Sequence, residues 1–166
     1  MKRIMMTAAA LAMFASLGVA NADARNTTVV EQRGSANGAA SIQNGRRNGV
    51  VIEQRGARQT TRAWQSGYRN FIRMEQAGAR NSAMSEQRGS NNLAVTGQEG
   101  RRLTAETYQS GNGNVVGVAQ IGTRSIATTD QAGNNNTLGV IQVGDGQDAD
   151  VVQRGNGNIS VVIQGN

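Results

Sequence analysis

Short runs of polar and apolar residues, each ending in a glutamine and bounded by glycine and asparagine, recur along this chain. Residues 48–54 (NGVVIEQ) and 158–164 (NISVVIQ) are two clear examples. These segments are six or seven residues long and rich in Val and Ile, which is typical of β-strands. The glycine and asparagine residues between them favour turns. The pattern therefore predicts short strands separated by four-residue turns.

The glutamines recur at a strict spacing of 11 residues. They occupy thirteen positions: Gln32, Gln43, Gln54, Gln65, Gln76, Gln87, Gln98, Gln109, Gln120, Gln131, Gln142, Gln153 and Gln164. Two residues after each of the first twelve glutamines stands a glycine: Gly34, Gly45, Gly56, Gly67, Gly78, Gly89, Gly100, Gly111, Gly122, Gly133, Gly144 and Gly155. Such a period indicates a repeat architecture. We predict one repeat domain, residues 23–166, of about 13 strand-turn units, in which these glycines form the turns.

Strand parity divides the side chains of each unit between two faces. Counted from a glutamine, positions +5, +7, +9 and +11 point one way, and we predict that this chemically uniform set is interior. Position +5 is mostly Asn. Positions +7 and +9 are mostly large in one unit, as in Val50 and Ile52, and small in the next, as in Ala83 and Ser85. Large and small faces can interdigitate into a thin core. The alternation predicts an all-β, two-sheet β-solenoid (cross-β), in which 11-residue half-repeats form 22-residue coils.

Stacked coils would place each glutamine over another, so we predict that the thirteen glutamines form structural ladders of amide hydrogen bonds. Where Asn is replaced at position +5, the Asn ladder is expected to weaken locally. The replacements are Gln59, Leu103, Ser125 and Gln147. Both ends of such a body would expose unpaired strand edges, which favours stacking on further copies.

The amino-terminal residues 1–22 are predicted to be a secretory signal peptide. Lys2 and Arg3 precede an apolar run over residues 4–20, and overlapping Ala-x-Ala sites span residues 20–24. Without Lys2 and Arg3, 15 of the 17 basic residues remain, against 11 acidic ones. Because arginine and glutamate are interleaved along the repeat, we expect nucleic acid only as a weak electrostatic partner.

Catalytic, cofactor-binding and metal-binding sites are not predicted. The chain has no His and no Cys, and its carboxylates do not form convergent pairs, so we expect no enzyme activity. Asp145, Asp148 and Asp150 cluster as in a calcium-binding repeat, but the cluster does not recur, which favours a solvated turn. An alternative function is a monomeric extracellular β-solenoid that binds a flat lattice such as ice or glycan. That function needs a regular outward array of Thr or aromatic residues, which the sequence does not show.

The repeated unit resembles the curlin repeat of curli fibre subunits. It has the form Gln-x-Gly-x-x-Asn-x-Ala-x-x-x-Gln, as in residues 32–43 and 76–87. The resemblance implies a secreted structural subunit of curli-type extracellular amyloid fibres, located in a cell-surface fibre (fimbrium), with roles in cell adhesion and biofilm matrix. The partners it implies are copies of the same chain, other curlin subunits, a curli-type secretion machinery, and host or matrix surfaces.

The family contains a major subunit and a minor, nucleating subunit. This sequence shows no long Gly-rich segment before its repeats, is basic, and keeps the 11-residue spacing unbroken. These features resemble the minor subunit more than the major one, so we expect a nucleator-like role.

Overall fold

A computed structural model describes residues 25–166. The predicted signal peptide, residues 1–22, lies outside the described residues. The described chain forms thirteen strands and no helix. The strands are β1 (Thr27–Ser35), β2 (Gly38–Arg46), β3 (Gly49–Ala57), β4 (Thr60–Tyr68), β5 (Phe71–Ala79), β6 (Ser82–Ser90), β7 (Leu93–Arg101), β8 (Thr104–Asn112), β9 (Val115–Thr123), β10 (Ile126–Asn134), β11 (Thr137–Asp145), β12 (Asp148–Asn156) and β13 (Ile159–Gly165).

Successive strands belong to two different parallel sheets. Sheet A has the order β1-β3-β5-β7-β9-β11-β13, and sheet B has the order β2-β4-β6-β8-β10-β12. Each strand pairs with the strand 22 residues away, so Gln54 of β3 lies between Gln32 and Gln76. Two strands therefore complete one 22-residue coil, and the chain winds through about six coils. The predicted two-sheet β-solenoid is confirmed.

The strands are longer and the corners shorter than the sequence pattern predicted. Twelve strands span nine residues, and only two residues separate one strand from the next. Strand pairing between coils continues through the glycines that follow each glutamine by two residues, as in Gly34 opposite Gly56. It extends into the corner, where the Arg58 amide donates to the Ser35 carbonyl at 2.9 Å. Hydrogen bonds from the neighbouring coil thus hold residues that local turn propensity would assign to a loop.

The core is a thin layer between the two sheets. Sheet A contributes large side chains such as Ile52, Ile72 and Met74, and sheet B contributes small ones such as Ala63 and Ala83; all five are buried. A second apolar cluster continues the layer from Ala105 to Ala149. Large residues on one sheet thus face small residues on the other, which keeps the core thin without leaving it empty.

Within residues 25–166 no helix is long and apolar enough to cross a membrane.

Candidate functional site

Two columns of glutamine side chains run along the axis of the solenoid, one in each sheet. In sheet A, the amide Nε2 of Gln54 donates to Gln76 Oε1 at 2.9 Å, and Gln76 Nε2 donates to Gln98 Oε1 at 2.7 Å. The same bond recurs along sheet A from Gln32 to Gln164 and along sheet B from Gln43 to Gln153. All the bonds have one direction, with the amide N–H donating to the glutamine 22 residues later.

Every inner glutamine except Gln65 also bonds the opposite sheet. Gln98 Nε2 donates to the Ser82 carbonyl at 3.0 Å in addition to the Gln120 side chain at 2.8 Å. Both amide hydrogens and the amide oxygen thereby have partners, although the side chain is buried. Because a buried amide without partners is destabilising, this double bonding explains how glutamine fits inside a core.

The asparagine positions form one complete column and one mixed column. On one corner the backbone N–H of each asparagine donates to the side chain of the previous one, as in Asn70 to Asn48 Oδ1 at 3.0 Å. This column is unbroken and comprises Asn26, Asn48, Asn70, Asn92, Asn114, Asn136 and Asn158. All four replacements lie on the opposite corner, together with Asn37 and Asn81: Gln59, Leu103, Ser125 and Gln147.

The mixed column keeps only part of the asparagine bonding. Gln59 Nε2 still reaches the Arg55 and Gly78 carbonyls, at 3.1 and 3.2 Å, in the manner of an asparagine. Its Oε1 is buried and has no hydrogen-bond partner within the described part of the chain, and Gln147 Oε1 is in the same situation. One corner of the solenoid is therefore less completely bonded than the other.

The twelve predicted turn glycines lie at the ends of the strands, just before each corner. All have φ between 103° and 140°, a range that side chains oppose. Space is a second constraint, because a Cβ on Gly100 would lie 1.8 Å from the Gly122 carbonyl oxygen of the next coil. The glycine columns therefore set both the backbone geometry and the close approach of the coils.

The position four residues after each glutamine adopts a left-handed conformation that the sequence analysis did not identify. Nine non-glycine residues there have φ of 54–59°: Ala36, Arg47, Arg58, Arg69, Arg80, Asn91, Arg102, Arg124 and Asn135. For the seven of them that are not Asn, this conformation is destabilising by about 1–2 kcal/mol per residue. The available signal was the recurrence of Gly and Asn at this position, as at Gly113, because both residue types tolerate that conformation.

Arginines that are scattered in sequence are stacked in the structure. Arg58, Arg80, Arg102 and Arg124 follow one another at 22-residue intervals on one corner. Arg124 forms a charge pair with Asp145. Hydrogen bonds from the Arg124 guanidinium and from the Thr123 hydroxyl lower the pKa of the exposed Asp145 carboxyl to about 2. Asp145 thus belongs to a surface ion pair.

Among residues 25–166 no group of three or more acidic side chains is arranged to hold a metal ion. Asp145 ends β11, and Asp148 and Asp150 lie in β12, so the three exposed residues lie on strands and not in the turn that the sequence predicted.

The two ends of the described body expose strand edges and apolar side chains. At the carboxy-terminal end, Ile159, Val161 and Ile163 of β13 are 78, 61 and 71% exposed. At the other end, Ile42 of β2 is also exposed. The strands β1, β2, β12 and β13 each pair with a neighbour on one side only, so each has one unpaired edge. Such edges can accept another parallel strand.

Comparison with curated proteins found no match to this sequence. Comparison with protein-family models matched residues 67–100, which extend from the end of β4 to the end of β7. The matched stretch contains Gln76, Gln87 and Gln98, three successive rungs of the glutamine columns. The match supports the resemblance to the curlin-repeat family, because the model that residues 67–100 fit is that of the curlin associated repeat.

Proposed function

We propose that this chain is a secreted structural subunit of curli-type extracellular amyloid fibres, which assembles by stacking β-solenoid coils. The observation that carries the proposal is that glutamine ladders join every coil to the next, whereas the outermost strands at the two ends each have an unpaired edge. A further copy can continue both sheets without any change of fold. Copies of this chain and other curlin subunits are the partners whose edges fit.

The biological setting of this proposal follows from the curlin associated repeat at residues 67–100. The fibre is located at the cell surface, reached by a curli-type secretion machinery after removal of residues 1–22, and residues 23–166 form its repeat domain. Its role is structural, in adhesion to host or matrix surfaces and in biofilm matrix. The chain acts as the minor, nucleating subunit, and no catalytic step is assigned to it.

The alternative function, binding of a flat lattice such as ice or glycan by a monomer, receives no comparable support. Adjacent outward positions on sheet A carry unlike residues, as in Arg73 beside Val51 and Val95. Ion pairs such as Arg73 with Glu53 further interrupt that face. A lattice-binding face needs the same group at each level, and the ladders lie inside the body.

Assembly of the purified chain tests the proposal. We expect residues 23–166, diluted from denaturant to micromolar concentration, to gain a β-type circular dichroism spectrum and bind an amyloid dye within hours to days. Preformed fibres of the same chain should shorten the lag. If the chain is a nucleator, adding a small molar fraction of it should also shorten the lag before a soluble curlin major subunit forms fibres. A chain that stays monomeric for weeks, alone and seeded, contradicts the proposal.

A further inference from the structure

The described solenoid has an odd number of half-coils, so the same sheet provides the outermost strand at both ends. Thirteen strands alternate between the sheets, and both outermost strands, β1 and β13, belong to sheet A. Sheet B begins one half-coil later, at β2, and ends one half-coil earlier, at β12. Each end therefore has one projecting strand and, beside it, one recessed edge of the other sheet.

This parity constrains how a second copy can stack. If the next copy kept the same orientation, its β1 would pair with β13 and complete sheet A. In sheet B, β12 and the next copy's β2 would then be two strand spacings apart, about 9.6 Å. Backbone hydrogen bonds cannot span that distance, so a strand-sized gap would leave both edges unpaired inside the fibre.

We propose that successive copies are related by a half turn about the fibre axis, so that sheet A of one copy continues as sheet B of the next. This inference rests on the proposed function, that copies of the chain stack. The next copy's β1 then pairs with β12, and its β2 pairs with β13. Because the chain runs out along one sheet and back along the other, a half turn preserves parallel pairing and closes the gap in both sheets.

The direction of the glutamine ladders fits this junction. At the carboxy-terminal end Gln164 Nε2 donates one bond, to the Asp148 carbonyl at 2.9 Å, where an inner glutamine such as Gln98 donates two. Gln153 Nε2 donates to Ser160 Oγ at 3.1 Å, where an inner glutamine would donate to the next glutamine of its ladder. At the other end, the first rungs, Gln32 and Gln43, only donate within their ladders, and Gln43 Oε1 accepts from the Thr28 hydroxyl at 3.3 Å. In the half-turn register Gln153 faces the next copy's Gln32, and Gln164 faces its Gln43, donor to acceptor.

The exposed side chains favour the same register. Continuing the 22-residue register places Ile159, Val161 and Ile163 of β13 opposite Gly38, Ala40 and Ile42 of the next copy. Apolar side chains that are exposed at both ends then cover one another. Glu31, which is paired with Arg33, meets an apolar side chain in either orientation: Val152 after a half turn and Ile163 without rotation. Only the half turn also gives the exposed Ile42 an apolar neighbour, because without rotation it faces the gap in sheet B.

The interior at the junction is also accommodated. A half turn brings two strands of sheet A type, β13 and the next copy's β1, across the core from each other. Their interior residues include Ser160 and Thr28, where four of the five inner strands of sheet A have Val, Ile or Leu and β7 has Ala94. The small side chain of Ser160 leaves room for this meeting of like faces.

Cysteine cross-linking in assembled fibres tests the half turn, because the natural chain has no cysteine. One variant combines Val161→Cys with Ala40→Cys, and a matched variant combines Val161→Cys with Val29→Cys. All three positions are exposed, so neither pair disturbs the core. The half turn places residues 161 and 40 of successive copies in adjacent strands, within disulfide reach. It places residues 161 and 29 on opposite faces of the fibre.

We expect mild oxidation of the 161/40 fibres to give a ladder of covalent multimers on a denaturing gel, and the 161/29 fibres to stay at least ten-fold less cross-linked. Single-cysteine chains control for lateral or head-to-head contacts and should remain monomeric on the gel. Preferential cross-linking of the 161/29 pair, equal cross-linking of both pairs, or none in either overturns the half turn while fibre assembly stands. Failure to form fibres at all overturns the proposed function, and the half turn with it.

Discussion

Replacing Gly100 by alanine is expected to destabilise the solenoid by about 2–6 kcal/mol. The substitution forces a Cβ onto a backbone with φ of 140°, and that atom would lie 1.8 Å from the carbonyl oxygen of Gly122. Backbone strain of this kind is destabilising by about 1–3 kcal/mol, and overpacking adds a similar amount. We expect the concentration of soluble chain in equilibrium with fibres to rise by at least about 30-fold, since each 1.4 kcal/mol is tenfold.

Gly97 provides the matched control, because it lies three residues away in the same strand, β7. A Cβ at Gly97 meets no atom within 4 Å. Alanine at this position lowers the conformational entropy of the unfolded chain and causes no clash in the folded one. We therefore expect a stabilisation of about 0.4–1 kcal/mol. Equal destabilisation by the two alanines would show that coil contact at the glycine column does not limit stability.

Replacing Gln98 by leucine is expected to destabilise the assembled state by about 2–4 kcal/mol, because it removes one rung of a buried ladder. The Gln76 amide loses an acceptor at 2.7 Å, and the Gln120 Oε1 loses a donor at 2.8 Å. Each buried polar group left without a partner is unfavourable by about 1–3 kcal/mol, and the added apolar surface offsets a part of this. We expect a longer lag and a lower denaturant midpoint for fibre dissociation.

Glu99→Leu is the control for this variant, because it introduces the same side chain at the next residue, which faces solvent. We expect it to change the stability of the assembled state by no more than about 0.5 kcal/mol, as is usual for surface positions, and so to leave the denaturant midpoint nearly unchanged. If Gln98→Leu and Glu99→Leu shift the midpoint equally, the ladder contributes no more than an exposed side chain does.

The fold could be predicted because the sequence repeats with the same period as the structure. An unbroken 11-residue spacing from Gln32 to Gln164 leaves one strand per unit. The alternation of pairs such as Val50 and Ile52 with Ala83 and Ser85 distinguishes a 22-residue coil from an 11-residue one. Period and parity suffice here because each coil contacts only its neighbours, so no long-range topology has to be inferred.

The corners could not be predicted from local preferences. Arg58 and Arg80 are poor candidates for a left-handed backbone, yet bonds such as Arg80 N–H to the Ala57 carbonyl hold them there. The same bonds extend the strands through the glycines, which shortens the turns to two residues. Arginines that are interleaved with glutamate along the chain form a column, because residues 22 apart lie one above the other. In each case contacts between coils override local propensity.

Mass per length of the assembled fibre tests the central claim most directly, because it counts how far each chain extends along the axis. Thirteen strands that alternate between two sheets, at half of a spacing of about 4.8 Å, give one chain per roughly 30–35 Å of fibre. A solenoid stack made from residues 23–166 should therefore have that mass per length in scanning transmission electron microscopy. One chain per about 4.8 Å would mean that identical segments of different chains stack in register. That result would contradict the account.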